Sequence, residues 1–291
     1  MLNTATIDES LARGIRRAYF RALDQGWNDS MAAIKRARQR NRFKVSQLDT
    51  DKQLRACVAE LRRLTPALLP VAEIMLQAGS RSANVTLSLM PAPLPLNHTA
   101  NSNAAVTALV LARPGGIMLR GTGVVVSGHA VDRVIQRTRL MELPISREDI
   151  AAINAEFTDA LPLACIGAAA LSRLSDSDGP EVAESLQVLL PASHGVFLAN
   201  WSCDDSRLII KTFISRTQLN DSQQMAAAEF SRLQQGVVES HVLDEIAPGW
   251  LNIDPAAVHA TLIDAWRRYG WRFDVERLHP GLSDAAWAEL H

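Results

Sequence analysis

The sequence predicts an α+β fold, a small antiparallel sheet with helices, flanked by helical regions at its N-terminal and C-terminal ends. Three observations carry that expectation. Apolar residues recur at helical spacing through the first 78 residues and again after residue 220. Between these regions, two groups of short Val-, Ile-, Leu- and Thr-rich segments lie at 84–126 and 186–214, each punctuated by Gly, Pro, Asn or Ser. Helical patterns over 127–174 separate the two groups, so strands and helices are segregated rather than alternating. The expected organisation is a helical basic region over 1–78, an α+β catalytic candidate over 79–220 and a helical Trp-rich region over 221–291.

In chain order, Ile7, Leu11, Ile15, Ala18 and Ala22 predict a helix over 6–26, with Thr6 as cap and Glu9 three residues on. A second helix is expected from Ser30 to about Arg42, its polar face almost wholly Arg and Lys. A third covers 49–64 and ends at Thr65-Pro66, and a short fourth runs over 70–77 before Gly79. Asn84 to Met90 and Ala105 to Ala112 read as strands around a Pro- and Asn-rich loop. Arg113-Pro114-Gly115-Gly116 then turns the chain into Ile117 to Arg120, and Gly121-Thr122-Gly123 leads to a strand over Val124 to Val126.

A helix should start near Ser127 and stop before Pro144. Ser146 with Asp149 marks the cap of a helix over 147–158, and an apolar helix follows from Pro162 to Leu174 before a turn at 175–180. Leu186 to Leu190, Gly195 to Trp201 and Arg207 to Ile214 have the spacing of an antiparallel meander. Helices are expected again over 221–235 and 255–269. Trp250, Trp266, Trp271 and Trp287 read as packing or a homo-oligomer contact in the last region.

Composition limits the function classes. Hydrophobic residues make up 47% of the 291 residues, enough for a sizeable core, and the net charge of -1 excludes a uniformly basic nucleic-acid binder. Charge is unevenly placed, however. Residues 1–48 hold ten bases (Arg13, Arg16, Arg17, Arg21, Lys35, Arg36, Arg38, Arg40, Arg42, Lys44) against four acids (Asp8, Glu9, Asp24, Asp29), an excess of 10 - 4 = 6. Cys57, Cys165 and Cys203 have no CxxC spacing and are odd in number, which argues against a zinc site or a disulfide framework and for a reducing cytosol. No basic leader with an apolar run is present, and the longest apolar stretch, Leu161 to Leu171, contains a proline, so neither a signal peptide nor a membrane span is expected.

The chemistry-bearing stretch is Ser127-Gly-His-Ala-Val-Asp-Arg-Val-Ile-Gln-Arg137. Helical spacing puts His129, Arg133 and Gln136 or Arg137 on one face, with the imidazole in the first turn, where the helix dipole favours its neutral form. Such a face suits a phosphate; its ordinary alternatives are a solvated surface or a structural hydrogen-bond cluster. Asp132, Glu148 and Asp149 read as solvated helix faces. Lys211, inside Leu-Ile-Ile-Lys-Thr-Phe-Ile, either protects an edge strand or meets an anion. His194 sits at the mouth of a strand, where a histidine before glycine is more often an ordinary turn residue. Two imidazoles and a lysine suffice to cleave RNA without a metal, because the attacking 2'-hydroxyl belongs to the substrate. His98, His241, His259, His279 and His291 show no metal-ligand spacing, so no metal or cofactor is expected.

The pattern Ser127-x-His129-Ala130-x-x-Arg133-x-x-Gln136-Arg137, followed by Ile145-Ser146-x-Glu148-Asp149-Ile150, resembles the histidine helix of the barnase/EndoU/colicin/RelE superfamily of RNase toxins. The resemblance spans about 124–218. It implies an endoribonuclease with His129 as acid/base, Arg133 as phosphate ligand, and Lys211 with Thr212 at the scissile phosphate. Outside the resemblance, His194, polar at the mouth of a strand, would supply the second imidazole, Arg137 on the histidine helix would bind substrate, and the basic N-terminal helix, otherwise a solvated face, would hold RNA through Arg36 and Arg40. An antitoxin or immunity protein would be the restraining partner. Strand alternation separates Lys211 from Thr212 unless the strand is bulged there. The competing expectation is a non-enzymatic assembly protein of a phage, defence or secretion system. A nucleotide transferase is a third, without a glycine-rich phosphate loop to support it.

Overall fold

The computed structural model describes residues 8–39, 59–60, 63, 72–78, 81–91, 104–113, 116–138, 143–246 and 255–273. The first helix, α1 (Glu9–Gln39), is one unbroken element in place of the two helices that periodicity predicts. Gly26 costs about 1 kcal/mol of helix propensity but does not remove a hydrogen bond as proline would, and Gln25 donates to Asp29 across the expected break at 2.9 Å. Its cap is Asp8, whose carboxylate accepts from Ser10 N at 2.7 Å and Leu11 N at 3.4 Å. Thr6 lies outside the described residues, as do most of the helix expected over 49–64 and the end of the basic helix.

The segment expected to be a short helix over 70–77 is instead strand β1 (Ala72–Ala78). Short apolar runs do not distinguish the two periods, and here pairing decides: Ala78 faces Arg81 and the ladder runs back to Ala72 opposite Leu87. Strands β2 (Arg81–Pro91), β3 (Ala104–Arg113) and β4 (Gly116–Ser127) continue the antiparallel meander. The two strands expected on either side of Gly121-Thr122-Gly123 are one strand, irregular where Val106 faces Val125 but Ala108 faces Gly121. Gly123 there has φ +68°, a conformation that glycine adopts without strain.

Helices α2 (Gly128–Thr138), α3 (Arg147–Phe157), α4 (Ala160–Asp178) and the short α5 (Pro180–Glu184) lead to β5 (Val188–Ala192), β6 (Gly195–Ser202) and β7 (Arg207–Ser215). Ser146 and Asp149 form the expected reciprocal cap of α3. The two strand groups, separate in sequence, form one seven-stranded sheet in the order β1-β2-β3-β4-β7-β6-β5. Their junction is parallel, with Val124, Val125 and Val126 of β4 facing Leu208, Ile209 and Ile210 of β7, so the sheet is mixed rather than purely antiparallel. The α+β class holds. Helices α6 (Asp221–Ile246) and α7 (Pro255–Tyr269) follow.

Among the described residues no single helix is long and apolar enough to cross a membrane. The core joins α2, α4 and the sheet through β4, β5, β6 and β7. Phe157 stacks on Phe197 with ring centroids 4.7 Å apart, and Phe213 packs against Phe197 at a tilt of 50° with centroids 4.9 Å apart. Trp266 of α7 seats on Gly167 of α4, where an added Cβ would stand 2.7 Å from the indole, and its Nε1 donates to Leu189 O at 3.1 Å. Trp266 thus packs as expected of the Trp-rich region, Trp271 is half exposed, and Trp250 and Trp287 fall outside the described residues.

Candidate active site

The junction between β4 and α2 positions the candidate residues. Ser127 caps the helix, accepting from Ala130 N at 3.1 Å, and its hydroxyl also donates to Lys211 O at 2.9 Å. One side chain therefore ties the start of the histidine helix to the middle of β7. His129 is exposed in the first turn of α2. Arg133 donates from Nε to His129 Nε2 at 3.4 Å and from Nη1 to Gln136 Oε1 at 3.1 Å. That contact makes Nε2 the acceptor and assigns the ring proton to Nδ1. Arg137 donates to the carbonyl of Phe213 in β7, and this helps hold the helix on the strand.

The setting is electropositive. His129 is held below its ordinary pKa first by loss of hydration and then by the charges of Arg133, Arg137 and Arg16, so it is neutral at pH 7. Partial burial, reinforced by Arg133, brings the Arg137 guanidinium down to about 10, still charged at neutral pH. Neutral imidazole beside guanidiniums is the protonation pattern that a base acting on a phosphodiester needs.

Lys211 is exposed, but β7 is no edge strand, because it lies between β4 and β6. The edge-protection reading fails on that order. A different local feature accounts for the exposure. The parallel ladder to β4 ends at Ile210, and on the other side Leu198 faces Thr212 while Ala199 faces Ile210, so Lys211 is the extra residue of a bulge. Strict alternation is interrupted there, which removes the objection to Lys211 and half-buried Thr212 serving one site.

Asp132 is not on a solvated face. It is 8% exposed and bonded by Arg16 of α1, itself 7% exposed, at 2.6 Å. Arg16 Nε and Asp132 Oδ1 have no hydrogen-bond partner. Burial raises the Asp132 carboxyl to about 6 despite Arg16. Arg16 falls on the apolar face of α1 with Ala12, Ile15 and Tyr19, a misplaced charge that signals a partner without identifying it. Glu148 is exposed and Asp149 serves the α3 cap.

His194 does not join this group. Its carbonyl accepts from Arg216 N, which places it about 16 Å along β7 from Lys211 at 3.3 Å per residue. Its Nδ1 instead lies 2.5 Å from Oε1 of Glu156, a buried carboxylate whose Oε2 has no hydrogen-bond partner. Sequence reasoning misses Glu156, although it shares the apolar face of α3 with Ile153 and Phe157. Arg36 is exposed but lies about 30 Å along α1 from Arg16, at 1.5 Å per residue, and Arg40 is outside the described residues. Among the described residues, no group of three or more His, Cys, Asp or Glu is placed to hold a metal ion. Compared with protein-family models, curated proteins and solved structures, the chain gives no match.

Proposed function

We propose that the protein is a toxin-like endoribonuclease that cleaves RNA by attack of the ribose 2'-hydroxyl on the adjacent phosphate. The observation that supports this most directly is the tie through Ser127, which anchors the start of the helix carrying His129 and Arg133 to the backbone carbonyl of Lys211 at the bulge. His129 takes the 2'-hydroxyl proton as the 2'-oxygen bonds to phosphorus. The bond from phosphorus to the 5'-oxygen then breaks, leaving a 2',3'-cyclic phosphate and a 5'-hydroxyl. Arg133 exchanges its long bond to His129 for a phosphate oxygen, which frees Nε2 to act. The Lys211 ammonium is assigned to neutralise charge on the phosphorane, and the departing 5'-oxygen takes its proton from solvent water while the His129 imidazolium returns its own to solvent. His194 has no part in this step.

The test is cleavage of total RNA by purified protein with excess chelator, alongside His129→Ala and Lys211→Ala. Wild type should cut, and His129→Ala should lose about 100- to 10,000-fold, the range for removing a general base. Intact RNA in the wild-type lane, or cleavage abolished by chelator, ends the proposal. Intact RNA would favour a docking role for the α2 face in an assembly, because Arg133, Gln136 and Arg137 already bond within the protein.

A further inference from the structure

Helix α1 carries a charged surface that the α2 site does not use. Arg16 and Tyr19 set its rotation, the first bonding Asp132 of α2 and the second donating to Asn154 of α3 at 2.6 Å. At about 100° per residue, Arg13, Arg17 and Arg21 emerge about 60°, 100° and 140° around from Arg16, turning away from Tyr19 and so away from α3. All three are exposed. Lys35, also exposed, repeats the position of Arg17 after about five turns of 3.6 residues. The three arginines cover about 12 Å from Arg13 to Arg21, and Lys35 stands about 21 Å further along, at 1.5 Å per residue, with no basic residue between. At its N-terminal end this stripe flanks Arg16, whose 2.6 Å bond to Asp132 of α2 holds this part of α1 against the helix that carries His129 and Arg133.

Two acids temper the stripe. Glu9 lies 3.1 Å from Arg13, an exposed i,i+4 pair that phosphate can displace readily, and exposed Asp24 stands on the same flank. Against them stand Arg13, Arg17, Arg21 and Lys35. The i,i+4 steps of the three arginines advance about 6 Å each along the helix, close to the separation of neighbouring phosphates on a nucleic-acid strand.

We propose that this flank of α1 is a track for the backbone of single-stranded RNA, leading several nucleotides of substrate into the α2 site. The inference rests on the ribonuclease reading and specifies its substrate as a strand, not a mononucleotide. It also moves RNA contact from the distal Arg36 to the arginines nearest α2. The track reads charge alone, so affinity along it is independent of base sequence and falls with salt.

The test measures binding of a labelled oligonucleotide of about 20 residues to full-length protein carrying His129→Ala, with and without Arg17→Gln and Arg21→Gln. Each lost phosphate contact should reduce the salt slope by about 0.7, so the parent should lose about 7-fold more affinity than the double variant between 50 and 200 mM salt. With His129 restored, the loss in kcat/KM should grow with oligonucleotide length. Equal salt slopes would overturn the proposal, as would tighter binding of polyglutamate or anionic vesicles than of RNA. A reduced slope in a protein whose wild type cuts no RNA would uphold the track and sink the ribonuclease reading.

Discussion

Replacing Asp132 by asparagine should change how stability depends on pH, and the structure sets both sign and size. Asp132 is buried against Arg16, and its carboxyl titrates at about 6 in the folded chain against 3.8 for the unperturbed group. A folded pKa above the unfolded one means that the folded state holds the proton more tightly. The wild type therefore gains stability from this group as pH falls through 6, and the full penalty of the buried anion is felt above that. At 1.36 kcal/mol per unit, the difference of about 2.2 units is worth about 3 kcal/mol.

The amide of the Asp132→Asn variant cannot titrate, so the wild type minus variant difference should shift by about 2.4 kcal/mol between pH 4 and pH 8, favouring wild type in acid, since the unfolded carboxyl is already partly ionised at pH 4. Urea unfolding followed by tryptophan fluorescence at each pH measures it. His129 and other titrating groups contribute to both proteins and cancel in the difference. A pH-independent difference would show that burial does not raise Asp132. A difference of opposite sign would show that attraction to Arg16 outweighs desolvation and that the buried pair is net stabilising.

Two further outcomes test the site and the sheet. Arg133→Gln removes the nearest charge from His129, so its pKa should rise toward 6.5, read by NMR titration of the ring. The acid limb of RNA cleavage should move to higher pH with it, because the basic form is then lost sooner, and an unmoved titration would contradict the part assigned to Arg133 and leave loss of hydration as the cause. Gly195→Ala should cost about 1–3 kcal/mol, since the new Cβ would stand 2.1 Å from Ile214 O and only backbone movement relieves it. Thermal unfolding decides the point, and a change within about 0.5 kcal/mol would mean that β6 and β7 give way without cost.

Local signals carry well where cause and effect lie within a few residues. The helix from Ser127, its cap, the Ser146 and Asp149 box and the second meander follow from spacing and capping chemistry, and the structure has each of them. The contact of His129 with Arg133 is legible for the same reason, as four residues make about one helical turn. Legibility fails where a partner lies far along the chain. Residues 70–77 read as a helix because nothing local announces the pairing with β2. Asp132 reads as solvated because Arg16 is 116 residues away, and Glu156 escapes notice because His194 is 38 residues away.

The residues around Ser127 determine by themselves a capped helix that presents an imidazole and guanidiniums on one side, since periodicity and capping are properties of neighbours in sequence. Only the tertiary structure decides what that helix stands beside. The parallel pairing of β4 with β7 brings Lys211 to Ser127, the bulge exposes its side chain, and the same pairing leaves His194 at the far end of the strand with Glu156. Strand order and register come from burying one face of each element against another, a choice the whole chain makes together.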